Sequence, residues 1–451
     1  MVKNRWAFAL ISLCLAWRLL RLLLDFPVWG DEAMVAINFF DSSYTDLFSP
    51  LEYGQIAPLG WLWLEKLMFD LGGGSVLLMR LPAFIAGSVS VVLFWQVAQR
   101  FVEQRSALFA LAVFCASYYP MRYSIEVKPY AFDLLVALLL IKSAINLSPK
   151  HFFATAVIGI FFSLPSMFVA AGCGLYLFYK LPQRRLLLIA CGIVLLSNYF
   201  WMAINFASPH AEAASWLREM DMWVTSFPPL TEWWKIPAWL LERHAGYMSA
   251  YPTGGRNFGS SITLVLQVIG VVVMLRQSQK QNLWILWSSL PFLFLAAALQ
   301  KYPYGGSVRV AIFLAPAICI CAGVGLNKIF SHRNSLHVFA STMLIMILGG
   351  MFNDISKPYK TPSDLLFKQA VASFSLTVDS NATLLGHLPD DAAGSQVNLH
   401  DYGGGLARLR FLLQREFGAD ADWTYSISDD ILKPQSVVIN YNGPDKAPTL
   451  R

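Results

Sequence analysis

Charge is what this sequence has least of. Only 14% of its 451 residues are Asp, Glu, Lys or Arg, where an ordinary soluble domain carries roughly 25%. The formal net charge of +6 is small, and its basic residues sit mostly in short stretches between apolar runs. That distribution signals membrane topology and excludes a nucleic-acid-binding surface. Cysteine is sparse as well. Cys14, Cys115, Cys173, Cys191, Cys319 and Cys321 all lie inside apolar runs, none at metal-ligand spacing. They read as small apolar fillers, and the polar segments have no disulfide framework. His210, His244, His387 and His400 are scattered and suggest no metal site. Heptads, internal repeats and low-complexity tracts are missing, and no cofactor motif appears.

What the chain has instead is hydrophobic length: 56% of its residues are hydrophobic and its mean hydropathy is +0.50. A bilayer crossing takes about 20 apolar residues. Eleven runs approach that, near 6–24, 80–98, 106–120, 131–147, 151–164, 166–180, 186–204, 259–275, 283–299, 308–327 and 335–352. The division between 151–164 and 166–180 at Pro165 is open. Lys3 and Arg5 precede the first run as in a signal peptide, but no small-residue cleavage site follows, so it reads as an uncleaved helix. Arg100 with Arg105, Lys142 with Lys150, Lys180 with Arg184 and Arg185, Arg276 with Lys280, and Lys328 with Arg333 fall on one side with Lys3 and Arg5 when each run crosses once. The positive-inside rule then makes the N-terminus cytoplasmic and the tail extracytoplasmic. Residues 56–71 carry Glu65, Lys66 and Asp70 and would break this alternation, so they are expected as an amphipathic helix on the outer interface, with Trp61 and Trp63 at that depth. The expectation is an all-α polytopic membrane protein of about eleven helices over 1–352, with outer loops 25–79, 119–130, 205–258 and 300–307. Residues 353–451 are expected as a small α/β extracytoplasmic domain, with strands near 383–388 and 435–441 and a helix near 405–417.

Three polar segments fall on the outer side. Asp31 and Glu32 follow the first run at head-group depth, where a carboxylate can take a proton from a hydroxyl; they can equally be a charge pair that fixes the depth of the helix. The stretch from Tyr123 through Glu126, Lys128, Pro129 and Tyr130, leading to Asp133, offers a cation for phosphate and a carboxylate to orient a hydroxyl, or a salt-bridged turn. In Lys301–Arg309, Tyr304 precedes two glycines and Arg309 stands at the mouth of a run, a costly position without an anionic partner. A lipid phosphate suits a guanidinium; snorkelling to head groups is the alternative. Arg80, Arg18 and Arg21 can touch a phosphate or snorkel, snorkelling being preferred for Arg21. Asn146-Leu-Ser and Asn381-Ala-Thr match a glycosylation sequon.

Taken in order, these segments resemble the C-type, polyprenyl-phosphate-dependent glycosyltransferases, in the branch of protein O-mannosyltransferases and lipid A aminoarabinose transferases. Asp31-Glu32 is similar to the acidic motif after the first span. Tyr53-Gly-Gln55-Ile-Ala-Pro58-Leu-Gly-Trp61 resembles a "PPLYYW"-like segment, Arg80-Leu-Pro82 an "RLPS" segment, and Tyr123–Tyr130 a "YSxEarpY" segment. The likeness covers roughly 1–330. It implies inverting transfer from a polyprenyl-phosphate sugar donor, with Asp31 in the base position, Glu32 beside it, and Arg80, Lys128 and Arg309 as candidates for the carrier phosphate. Tyr123, Glu126, Tyr130, Tyr304 and Gln55 join the substrate-binding set. Gln55 stands where many relatives carry a basic residue, which leaves that role to Lys128 or Arg309. No metal is required. The acceptor is a glycan, lipid or protein, and the setting a plasma membrane of bacterial inner-membrane type. A transporter or flippase of a lipid-linked sugar is the rival reading, but transporters place charge at the midplane and show repeats.

Overall fold

The computed structural model describes residues 2–202, 225–256, 258–330, 332, 334–360, 383–386, 404–417, 422–427 and 437–442. In chain order its helices are α1 Val2–Leu23, α2 Gly30–Ala36, α3 Leu59–Gly72, α4 Val76–Phe101, α5 Gln104–Ala116, α6 Tyr118–Arg122, α7 Tyr130–Ile145, α8 Pro149–Gly159, α9 Ser166–Lys180 and α10 Arg185–Met202. They continue as α11 Ile236–Arg243, α12 Ser261–Arg276, α13 Lys280–Trp287, α14 Ser289–Ala298, α15 Ala315–Ile329, α16 Ser335–Ser356 and α17 Gly404–Phe417. A helix or helix pair lies under each apolar run of the sequence. Among the described residues five stretches are long and apolar enough to cross a membrane: Arg5–Leu23, Val76–Phe101, Lys280–Ala298, Val308–Ile329 and Ser335–Ser356. The chain breaks between α8 and α9, just before which Pro165 caps the latter.

Small residues let the helices approach closely. A Cβ on Gly270 of α12 would fall 1.9 Å from the Cys321 carbonyl oxygen of α15, so only glycine allows this crossing. All six cysteines are buried and unpaired, as expected of apolar fillers.

Polar contacts sort the helix ends. At one end Lys142 donates to Gln96 at 2.7 Å, Asn282 to the Phe101 carbonyl at 3.0 Å and Arg105 to the Phe330 carbonyl at 2.6 Å. At the other, the last turns of α1 and α16 meet: Arg21 Nη1 lies 2.7 Å from Asp354 Oδ1, and Trp17 Nε1 donates to Oδ2 at 2.8 Å. Arg21 therefore does not snorkel; it is buried in an ion pair. α4 and α7 both begin at this second end, and so do the three polar segments.

α3 covers that end. Gly60 lets it lie directly on Phe161, where a Cβ would come within 2.8 Å of the carbonyl oxygen, and the Trp61 N–H donates to the same oxygen at 3.1 Å. Trp61 is consequently fully buried against the protein. Trp63 stays at the surface and donates to the Tyr44 carbonyl at 2.8 Å. Glu65 is buried with neither carboxyl oxygen hydrogen-bonded; burial, reinforced by Glu32, raises its pKa well above the ordinary value.

In the tail, β1 Thr383–Gly386, β2 Asp422–Ile427 and β3 Val437–Asn442 form an antiparallel sheet in the order β1-β3-β2. β2 has no counterpart in the sequence reading. α17 reaches back to the first outer loop: Ala407, Phe411 and Leu412 join the apolar cluster of Ala33, Val35 and Phe39, and Arg410 pairs with Glu52. Trp216, Trp223, His210, Asn381, His387 and His400 lie outside the described residues.

Candidate active site

A cavity of about 250 Å³ opens at the α2 end of the bundle. Four stretches wall it: Asp31 and Val35 from α2, Gly54–Pro58 from the loop before α3, Lys128–Asp133 at the head of α7, and Gln300–Pro303 with Arg309 and Val310 before α15. Leu164, Pro165 and Phe227 complete it.

The charged groups in this cavity face one another. Arg309 Nη1 pairs with Asp31 Oδ2. Lys128 Nζ donates to Gln55 Oε1 at 2.7 Å, and Gln55 is turned by its own amide, which donates to the Tyr53 carbonyl at 3.2 Å. Two successive left-handed residues, Tyr53 (φ 56°) and Gly54 (φ 61°), make that turn. The positive φ at Tyr53 costs about 1–3 kcal/mol, a kind of strain that clusters at ligand sites. Burial opposes the charge on Asp31, but Lys128, Arg309 and Lys360 outweigh it and hold the carboxyl below the ordinary carboxylate range. Burial pulls the Lys128 ammonium below the usual lysine value, against the attraction of Asp31.

Glu32 turns the other way. Arg80 grips it with Nε to Oε1 at 2.9 Å and Nη2 to Oε2 at 2.7 Å, and donates through Nη1 to the Phe26 carbonyl at 2.8 Å. The Val127 N–H donates to Glu32 Oε1 at 2.9 Å. Both partners are buried. All three guanidinium nitrogens of Arg80 are thus occupied by protein acceptors, and Glu32 has its acceptors filled. They fix α2 to α4 and to the bend before α7. Glu126 is paired with Arg122 at 2.6 Å and lines a second cavity of only about 20 Å³, with Arg21, Trp29, Glu32, Arg80 and Lys360. Lys360 follows α16, sits against the Trp29 ring, and is held down to about 6 by burial, against the attraction of Glu126.

Tyr130 lines the main cavity; Tyr123 packs behind it, edge to face, with ring centroids 5.0 Å apart. Tyr304 is buried outside the cavity wall. His244 lies 3.0 Å from its hydroxyl, Trp239 is 5.3 Å away ring to ring, and its N–H donates to the Ser226 carbonyl at 2.8 Å. These contacts tie the segment carrying Phe227 to the 300–310 loop. Burial lowers His244 to about 4, so it is neutral there. Of the residues singled out in the sequence, the fold brings Asp31, Gln55, Lys128, Tyr130 and Arg309 into one cavity. Glu32, Arg80 and Glu126 go to the neighbouring cluster, and Tyr123 and Tyr304 pack behind the walls. Phe227, Tyr302 and Asp133 are lining residues that the sequence reading did not assign. Asp133 had a visible signal, an ionisable residue inside an apolar run.

Residues 57–210, which begin in the cavity wall and run through α10, match the family described as dolichyl-phosphate-mannose-protein mannosyltransferase. The match covers that segment alone, and there the chain is similar to the C-type, polyprenyl-phosphate-dependent glycosyltransferases. Solved structures show partial similarity to this chain. ArnT from Cupriavidus metallidurans in the apo state aligns over 92% of this chain and 75% of its own, at 12% identity and a TM-score of 0.46. ArnT bound to undecaprenyl phosphate aligns over 91% and 75%, at 13% identity and a TM-score of 0.44. The Archaeoglobus fulgidus oligosaccharyltransferase in the apo form aligns over 84% of this chain and 59% of its own, at 9% identity and a TM-score of 0.46. No curated protein matches the chain in sequence.

Proposed function

We propose that this glycosyltransferase moves a sugar from a polyprenyl-phosphate carrier to a hydroxyl of a glycan, lipid or protein acceptor, with inversion, at the extracytoplasmic face of a bacterial inner membrane. The observation that carries this is that Asp31 lies among the cations Lys128 and Arg309, with which it interacts, in a single cavity at one end of an apolar bundle. In this reading 1–352 crosses the membrane eleven times from a cytoplasmic N-terminus, and 353–451 forms an extracytoplasmic unit.

The chemistry follows from the charges. The carrier phosphate enters beside Lys128 and Arg309 and competes with Asp31 for the guanidinium, which matches phosphate oxygens in a fork. As Arg309 turns to phosphate, Asp31 loses its ion-pair partner, one of the cations that acidify it, and becomes a better base. The acceptor oxygen then forms a bond to the anomeric carbon while the carbon–oxygen bond to phosphate breaks. The acceptor proton passes to Asp31, and the electron pair leaves on polyprenyl phosphate, whose added charge the two cations neutralise.

The test is carrier release in proteoliposomes. With polyprenyl-phosphate sugar and an acceptor extract, free polyprenyl phosphate accumulates only when acceptor is present. Movement of the intact lipid-linked sugar across the bilayer without release would establish the transporter reading instead. Mass spectrometry of the lipid-linked sugars that accumulate when the protein is lost identifies the donor.

A further inference from the structure

The cavity has a side that the transfer chemistry leaves unused. Asp133 lies three residues after Tyr130 on α7, so the two side chains leave the same helix face, and both line the cavity. Asp133 is 4% exposed. Its Oδ1 has no partner at hydrogen-bonding geometry, and the Ser163 hydroxyl is the polar group that approaches the carboxyl. Among the described residues no lysine or arginine pairs with it. The nearby Tyr302 hydroxyl does not serve it either, because it donates to the Val310 carbonyl at 3.0 Å. A carboxyl group buried without a partner is costly, and at the wall of a ligand cavity the missing partner is a ligand donor. Glu65 has the same lack of partners but does not line this cavity.

Size narrows the ligand. A cavity of about 250 Å³ is smaller than the roughly 300–1,000 Å³ of sites for drug-sized molecules. It admits one sugar ring beside the phosphate clamp and leaves the acceptor to approach from the mouth. We infer that Asp133 reads the donor sugar: ring hydroxyls on the Asp133 side of the cavity hydrogen-bond to its carboxyl group, with Ser163 as a secondary contact, and this sets which sugar is transferred. The inference rests on the transferase reading. It makes Asp133 a specificity-determining residue and leaves proton abstraction to Asp31. A site built to bond a hydroxyl discriminates strongly against a substrate that lacks or misplaces it, since the site's own polar group is left unpaired.

The experiment compares equilibrium binding of four probes to the full-length protein in nanodiscs: bare polyprenyl phosphate and its glucosyl, mannosyl and galactosyl forms, whose sugars differ in the direction of single hydroxyls. The wild type binds one epimer at least ten-fold more tightly than another. Asp133→Asn, which keeps the shape, reduces that preference to within about three-fold and leaves affinity for bare polyprenyl phosphate unchanged. Ser163→Ala shifts the preference in the same direction by a smaller factor, and keeps the test available should Asp133→Asn lower the folded yield. An unchanged epimer preference in both variants overturns the inference, as does a parallel loss of affinity for the bare carrier. A wild type that binds no epimer better than the bare carrier overturns it as well. These readouts need no turnover. Binding with sugar preference but no carrier release on addition of acceptor therefore defeats the transferase reading alone.

Discussion

Asp31 and Glu32 are neighbours in the chain and strangers in the fold. One faces a cavity of about 250 Å³ and is a fifth exposed, paired with an arginine that a phosphate can take from it. The other is sealed in a cluster with about 20 Å³ of free space, gripped by a guanidinium with no nitrogen to spare and by a backbone N–H. Helix geometry explains the split. Successive residues on a helix point about 100° apart, so an acidic pair at the head of α2 addresses two rooms. The difference teaches that a paired carboxylate motif can divide its labour, one member facing a cavity and the other holding the helix in place.

Three changes break or sharpen that contrast. The largest effect is expected at Asp31: Asp31→Asn removes the proton acceptor and costs about 10²–10⁴-fold in transfer rate, with an unchanged unfolding midpoint. Near-normal turnover in that variant takes Asp31 out of the chemistry. Next, Arg80→Leu leaves Glu32 buried without its cation, which costs about 3–5 kcal/mol of stability. It is read as a lower denaturation midpoint, while the folded fraction keeps its transfer rate within a few-fold. A large fall in rate at unchanged stability would move Arg80 back among the phosphate ligands. The smallest effect is a shape of profile. Lys128 loses its proton at lower pH than a free lysine because burial disfavours the charge. The ammonium that binds phosphate is thus present below its lowered pKa and lost as pH rises through it, giving kcat/KM an alkaline fall earlier than the ordinary lysine value. Lys128→Arg, always charged, moves that fall to higher pH or abolishes it.

Much of this was legible in the sequence. The apolar runs announce the helices, and the order of Asp31, Lys128 and Arg309 along the outer segments announces the cavity, because charge at the mouth of an apolar helix has few places to go. Pairing is what the sequence hides. Arg80 looks like any cation available to a phosphate until its three nitrogens are found spent on Glu32 and Phe26, residues 48 and 54 positions away. Gln55 looks like the loss of a basic residue until it is found orienting Lys128 from 73 positions away. Only the close approach that Gly60 allows reveals Trp61 as buried against the protein. Tyr304 looks like a substrate-binding residue and turns out to be a peg behind the wall.

The docking of α17 on the first outer loop carries a consequence for how the protein is made. Phe411 meets Phe40 edge to face at 5.7 Å, and its neighbours Ala407 and Leu412 complete the apolar cluster behind α2. The segment bearing Asp31 leaves the ribosome first, yet the surface that backs it is encoded near the other terminus. Contacts across so long a stretch of chain form late, so the apolar backing of α2 waits for residues 404–417, and a product cut before them lacks that backing.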